Sequence, residues 1–358
     1  MGLNVGVSEH AIVTAELPGN VDTAPTICWL AHMDTSPEAS GANVDPRVVA
    51  YKGGDIVLQN GRVISAADLE GMAGKTLVVT DGTTLLGADN KAGIAVVMEA
   101  VARLLIEPER PRCPIKIVFT CDEEIGRGTD KIDVEKLGAV CGYTLDGESE
   151  GLIENETFSA DVCSVTITGR NIHPGLAYKK MVNALRAGAD FISRLPRGLS
   201  PEETRERDPF LHPYAMSGGV EEMSFRVLLR GFDEQALKME REILQSVARE
   251  TEANWPGVMV KLDFREQYRN MAQFLSKEPR AVVLAERAYK KVGVEPVFKA
   301  IRGGTDGSKL SEKGLPTPNL STGMHNFHSV LEYACLEEME TAVKVLLELA
   351  WLWAQERA

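Results

Sequence analysis

Ile94, Val97, Met98, Val101, Leu104 and Leu105 recur at steps of three and four, the period of one helix face. The helix they predict over 94–105 follows the stretch D-G-T-T-L-L-G-A-D-N-K-A-G at 81–93, so Asp89 is expected in a glycine-rich turn just ahead of a helix N-terminus. Other apolar residues come in short unbroken runs. Residues 26–31 (T-I-C-W-L-A), 76–80, 115–120 (I-K-I-V-F-T) and 140–145 each read as a strand, the unbroken runs as buried ones. Residues 3–17 alternate weakly, as two short strands would. Residues 38–75 are rich in Gly, Asn, Asp and Pro, which predicts a long surface excursion.

A second pattern starts near Phe158. Residues 160–168 alternate as a strand, 178–195 read as a helix, and 200–218, with Pro201, Pro209, Pro213 and Gly218-Gly219, read as loop. A strand over 223–229, a helix over 233–251 with Asp233 as N-cap and a strand over 258–264 bring this close to a β-α-β-β-α-β unit. The chain is expected to be α/β, with an outer domain over 1–157 and 272–358 and an inserted unit over 158–271. After the insertion come a helix over 278–292, the turn Arg302-Gly303-Gly304-Thr305-Asp306-Gly307, a strand over 317–320 and a closing helix over 336–357.

Composition narrows the function more than the fold. The length of 358 residues fits two domains, and 44% apolar content supports a full core. A net charge of −13 with no basic stripe argues against nucleic acid as a partner. The six cysteines are scattered with no C-x-x-C pair, which fits a reduced, cytoplasmic protein. The first residues lack the basic and apolar regions of a signal peptide, and no apolar run approaches the roughly 20 residues that span a bilayer.

Four predicted strands run into acid or imidazole groups: His32 and Asp34; Asp89; Asp122, Glu123 and Glu124; and Asp146. His325 and His328 follow the last predicted strand. In open α/β sheets the working groups collect at the carboxyl ends of strands. So many carboxylates converge only where metal charge offsets their repulsion. Mixed imidazole and carboxylate ligands suit zinc, with cobalt or manganese as replacements. Two such ions about 3.5–4 Å apart, spanned by one carboxylate, form a hydrolytic arrangement.

The motifs H-M-D-T-S-P, G-A-D-N-K-A-G, D-E-E-I-G-R-G, T-L-D-G, N-I-H-P-G-x-A with M-V-N-A, R-G-G-T-D-G-S and N-F-H-S-V-L-E stand in one order along the chain. In that order they resemble the peptidase T family of tripeptide aminopeptidases. Its dizinc clan also holds aminoacylase, the glutamate carboxypeptidases and succinyl-diaminopimelate desuccinylase. The likeness implies a mixed-sheet zinc-peptidase domain with a ferredoxin-like lid inserted in it, two Zn2+ ions (Co2+ or Mn2+ as replacements) and a small peptide substrate. A homodimer is left open. By position, His32 and Asp146 would hold one ion, Glu124 and His328 the other, and Asp89 both. Glu123 would be general base and acid, and Asp34 would fix the tautomer of His32. His173 would reach the scissile carbonyl, Asn183 and Arg230 would hold the substrate's carboxylate and backbone, and the turn with Gly304 and Thr305 would line the cleft. The likeness also implies a cis peptide at Asp89-Asn90.

Alternatives stay open at this point. His325 competes with His328, although the spacing from His328 to Glu332 favours the latter. His173 also reads as a turn residue before Pro174-Gly175, and Arg230 as a surface ion pair. The metals are equally compatible with an N-acyl amino acid deacylase, a dipeptidase or a shortened non-catalytic paralogue. Three departures from the family pattern stand out. Asn90 replaces an acid, the segment around His328 reads M-H-N-F-H-S-V-L-E, and the chain starts later than the family does, which is expected to bare apolar surface.

Overall fold

The strand Ile27–His32 is buried at every position, and its two faces feed two cores. Ile27, Trp29 and Ala31 join the larger one, which the helices Ala88–Ile106, Arg280–Lys291 and Leu336–Trp353 help to build. Cys28 and Leu30 join a smaller one with Val118, Leu310 and Leu315. Period-two alternation between two apolar layers explains why the run is unbroken. This is a computed structural model, and it describes residues 1–357.

Ile27–His32 lies parallel between Ile115–Thr120 and Cys141–Glu148, and Asn319–His325 extends the parallel set beyond Cys141–Glu148. Antiparallel strands flank these four, so the sheet, eleven-stranded among the described residues, is mixed. Parallel strands end on the same side, which brings the carboxyl ends of all four together. In the larger core Trp353 donates its indole N–H to the Tyr143 hydroxyl (2.8 Å), which donates to the Ala281 carbonyl (2.9 Å).

The chain divides into two units: Met1–Asn155, Met271–Lys299 and Thr305 onward in one, Glu156–Asn270 with Ala300–Gly304 in the other. The second unit is an antiparallel sheet in the order Phe210–Gly218, Glu222–Gly231, Ser159–Thr168, Met259–Tyr268, with the helices Ala184–Arg194 and Glu234–Asn254. That is the ferredoxin-like order of a β-α-β-β-α-β unit. Its core contains Val165, Phe191, Phe225 and Leu244.

Several segments differ from the sequence reading. Residues 38–75 are no mere excursion: Arg47–Ala50, Ile56–Val57 and Val63–Ile64 are strands, and Tyr51, Ile56, Leu58, Ile64, Leu69 and Met72 belong to a core of their own. Residues 210–218 form an edge strand, where Pro213 is tolerated beside a register shift. The helix read over 178–195 starts at Ala184, because the Asn183 side chain caps it by accepting from Arg186 N–H. Val297–Ile301, Asp306–Glu312 and Tyr333–Cys335 are elements the pattern did not reveal. The helix after 81–93 starts early, at Ala88, so Asp89 lies in its first turn. Thr76–Val79 pairs only antiparallel, so Asp89 reaches the strand ends through that helix start.

Candidate metal centre

His32 closes its strand, Glu123 and Glu124 follow Ile115–Thr120, Asp146 lies inside Cys141–Glu148, and His328 follows Asn319–His325. Asp89 comes from the first turn of Ala88–Ile106, where Gly87 takes a left-handed φ of 75° and the Asp89-Asn90 peptide is cis. Gly93 is required by close approach: a Cβ there would collide with the Leu145 carbonyl and the Asn90 side chain. The turn that carries Asp89 is thereby seated on the strand that carries Asp146.

Asp89 is shared between two groups. Its Oδ1 lies 2.8 Å from His32 Nε2, and its Oδ2 lies 3.2 Å from His328 Nε2. Asp146 Oδ1 is 3.4 Å from His32 Nε2, and Glu124 Oε2 is 2.9 Å from His328 Nε2. The result is two triads, His32–Asp89–Asp146 and Asp89–Glu124–His328, each with its ligand atoms within 4.8 Å of one another. Asp146 Oδ1 and Glu124 Oε1 are buried and accept no hydrogen bond. A buried oxygen left that way is costly unless a cation meets it. Orphaned oxygens beside imidazoles are the donor set of a borderline divalent ion, so these residues fit a pair of them.

The electrostatics point the same way. Burial, with Asp89 adding repulsion, pushes the Asp146 carboxyl up to about 7. Burial, then the charges of Asp146 and Asp306, raises Glu123 well above the usual carboxylate range. Hydrogen bonds to Asp89 and Glu124 lift His328 to about 10. Burial works against a charge on His32, but Asp146, Asp34 and Asp89 outweigh it and raise that imidazole too. Protons here carry the positive charge the carboxylates require, and metal ions would displace them.

Asp34 stands behind His32, with Oδ1 3.3 Å from Nδ1, while the Asp34 carbonyl lies 3.2 Å from the same nitrogen. Its two carboxylate oxygens also accept the N–H of Glu123 (3.2 Å) and of Glu124 (3.1 Å). One side chain thus orients the imidazole and fixes the loop carrying both glutamates. Glu332 clamps the other side, accepting from Gly87 N–H (2.7 Å) and Asp89 N–H (2.8 Å). His325 lies elsewhere, 2.6 Å from Glu338 and stacked on Tyr333.

The sequence model of peptidase family M20/M25/M40 matches residues 78–352. This chain belongs to that family. Peptidase T of Shewanella pealeana is 42% identical over 358 residues, covering 99% of this chain and 88% of the relative. Peptidase T of Vibrio parahaemolyticus is 43% identical, with the same coverage of each. Among solved structures, aminopeptidase PepT from Bacillus cereus matches with a TM-score of 0.78 at 24% identity, covering 99% of this chain and 90% of that one. A tripeptidase from Staphylococcus aureus matches at 0.80 and 23%, with the same coverage. As an M20/M25/M40 member the chain is a metallopeptidase. No helix among the described residues is long and apolar enough to cross a membrane.

In this M20/M25/M40 chain the positions expected to contact substrate are engaged locally in different degrees. His173 is exposed, and its Nδ1 accepts from Gly175 N–H (3.1 Å). The Asn183 side chain caps its helix, and the Thr305 hydroxyl accepts from Gly307 N–H in a capping box. Arg230 is buried, not the surface ion-pair residue of the alternative reading, and its Nη1 donates to the carbonyls of Asp161 (3.1 Å) and Leu229 (3.0 Å). Gly304 has the Tyr268 ring where a Cβ would be. Asp306 is expected only as part of the turn that lines the cleft. It is buried, accepts from the Thr120 hydroxyl (2.7 Å), and burial pushes its carboxyl up to about 6. The R-G-G-T-D-G turn was the signal for it. For the clamp by Glu332 the signal was only its spacing from His328.

Proposed function

We propose that the chain is a dizinc aminopeptidase that removes the N-terminal residue from tripeptides. The observation that carries this is Asp89, whose two oxygens each face a different imidazole. The relatives named peptidase T support the substrate class. In this reading His32 and Asp146 hold one ion, Glu124 and His328 the other, and Asp89 both. Bound there, such a pair supplies Lewis acidity to a scissile carbonyl and makes an attacking water more acidic. Glu123 accepts the proton of that water and hands it to the leaving amine. Asp34 accepts at His32 Nδ1 and so keeps Nε2 available on the side of Asp89 and Asp146.

A free-amine tripeptide should be cut while its N-acetylated form resists. Cleavage of the blocked peptide alone would make the chain an acyl-amino-acid hydrolase instead. Glu123→Gln should retain both ions and lose about 10²–10⁴-fold in kcat. Unchanged turnover would remove Glu123 from the mechanism.

A further inference from the structure

The strands Cys141–Glu148 and Asn319–His325 pair in parallel, but the ladder breaks at Asp146. Gly142 N–H donates to the Pro316 carbonyl (2.9 Å) and Thr144 N–H to the Pro318 carbonyl (3.1 Å). Continuing at that spacing, the next N–H in line is that of Asp146. Leu145 stands opposite Leu320 and Gly147 opposite Ser321, so Asp146 has no partner across the ladder. An extra residue on one strand is a bulge, a device that re-aims a side chain. At the bulge Asp146 N–H donates to a side chain, Asn319 Oδ1, at 3.0 Å.

Asn319 is 1% exposed, and its amide has one workable orientation. Oδ1 accepts from Asp146 N–H and lies 3.3 Å from the Thr144 hydroxyl, which donates to it. Nδ2 donates to Glu154 Oε2 at 2.6 Å. Glu154 sits directly opposite Asn319 on the neighbouring antiparallel strand Leu152–Thr157. A flipped amide would set its NH2 against an N–H donor and its oxygen against a carboxylate, so the buried acid fixes which end faces Asp146.

We propose that Asn319, oriented by Glu154, is a positioning residue for Asp146: it holds the backbone at the bulge so that the Asp146 carboxylate is presented beside His32. The inference rests on the two-ion reading above. It singles out one half of the centre, because the Asn319 side chain bonds to Thr144, Asp146 and Glu154 and to neither Glu124 nor His328.

The test is a titration of the metal-stripped full chain with Zn2+ against a competing chelator, resolving two binding steps. His32→Ala marks the step that belongs to the His32 half, and His328→Ala marks the other. Asn319→Leu should weaken the first step by about 10–100-fold, the usual cost of losing an outer partner, and leave the second unchanged. Glu154→Gln still offers an acceptor to Nδ2 and should stay near wild type, whereas Glu154→Ala should shift the same step as Asn319→Leu. If Asn319→Leu does not fold, Glu154→Ala carries the test alone. Equal weakening of both steps, or no change in either, would overturn the proposal, since a general loss of packing has no reason to choose one half. If the wild-type chain binds fewer than two ions, the two-ion reading itself falls and takes this inference with it.

Discussion

Asp161 and Asp146 are both buried carboxylates, one in each unit, and their surroundings differ. Asp161, 0% exposed on the strand Ser159–Thr168, is met by two guanidinium groups. Arg241 Nε donates to its Oδ2 at 2.8 Å, with Arg241 Nη2 on the same oxygen, and Arg269 Nη1 donates to Oδ1 at 3.0 Å. The protein supplies the whole counter-charge. Among the described residues, Asp146, Asp89 and Glu124 have only two imidazoles within ion-pair distance, with the Lys91 ammonium further off, and two of their oxygens accept no hydrogen bond. Burial of acid is common to both places. What separates a structural ion pair from a ligand site is the positive charge that the protein itself leaves out.

Three substitutions would break or sharpen that contrast. Asp89→Ala should have the largest effect: metal analysis should find both ions lost, and the activity with them. Retention of two ions would mean the triads are not the ligand sets. Asp161→Ala should do the opposite, leaving metal content alone and costing about 3 kcal/mol in urea unfolding, because partly exposed Arg241 and buried Arg269, which keeps Glu234 and Glu266, lose their hydrogen bonds to it. A loss below 1 kcal/mol would mean that those arginines do not depend on Asp161.

Glu240 gives the smallest and most pH-dependent effect. It is 0% exposed in the helix Glu234–Asn254, both its oxygens lack a hydrogen-bond partner, and burial pushes its carboxyl up to about 9. Its ordinary value is 4.5, so between 4.5 and about 9 the unfolded chain gives up a proton that the folded one keeps. Stability therefore falls as pH rises through that window. Glu240→Leu should stabilise by about 1–3 kcal/mol, with a gain that grows from pH 5 to pH 8. Thermal unfolding at the two pH values checks it, and a gain independent of pH would show that Glu240 is not held neutral.

The parallel strands were legible because burial on both faces leaves an unbroken apolar run, and the acids and imidazoles then stand out at its end. His32, Glu123, Glu124 and Asp146 stand out as candidates that way. The start of the Ala88–Ile106 helix was not legible, because its first turn is polar and the apolar period begins only at Ile94. The core under 38–75 rests on two-residue strands, too short for any alternation to register. Phe210–Gly218 was obscured by Pro213, which reads as a breaker and sits on a sheet edge. Glu332, Asn319 and Asp306 are defined by the few polar groups each one meets. Tertiary structure alone decides that meeting, and no periodicity encodes it.

The short return Ala300–Gly304 belongs with the insertion, although some thirty residues separate it from Asn270. Phe158 N–H donates to the Ile301 carbonyl (3.1 Å), and Arg302 holds the carbonyls of Glu206 (2.8 Å) and Asp208 (3.2 Å). Anyone transplanting this module between relatives must therefore move two pieces of chain. A graft cut only at 156 and 270 would leave Ala300–Gly304 behind and part the Glu206 and Asp208 carbonyls from Arg302, and misfolding of such a chimera would say nothing about whether the two halves are functionally compatible.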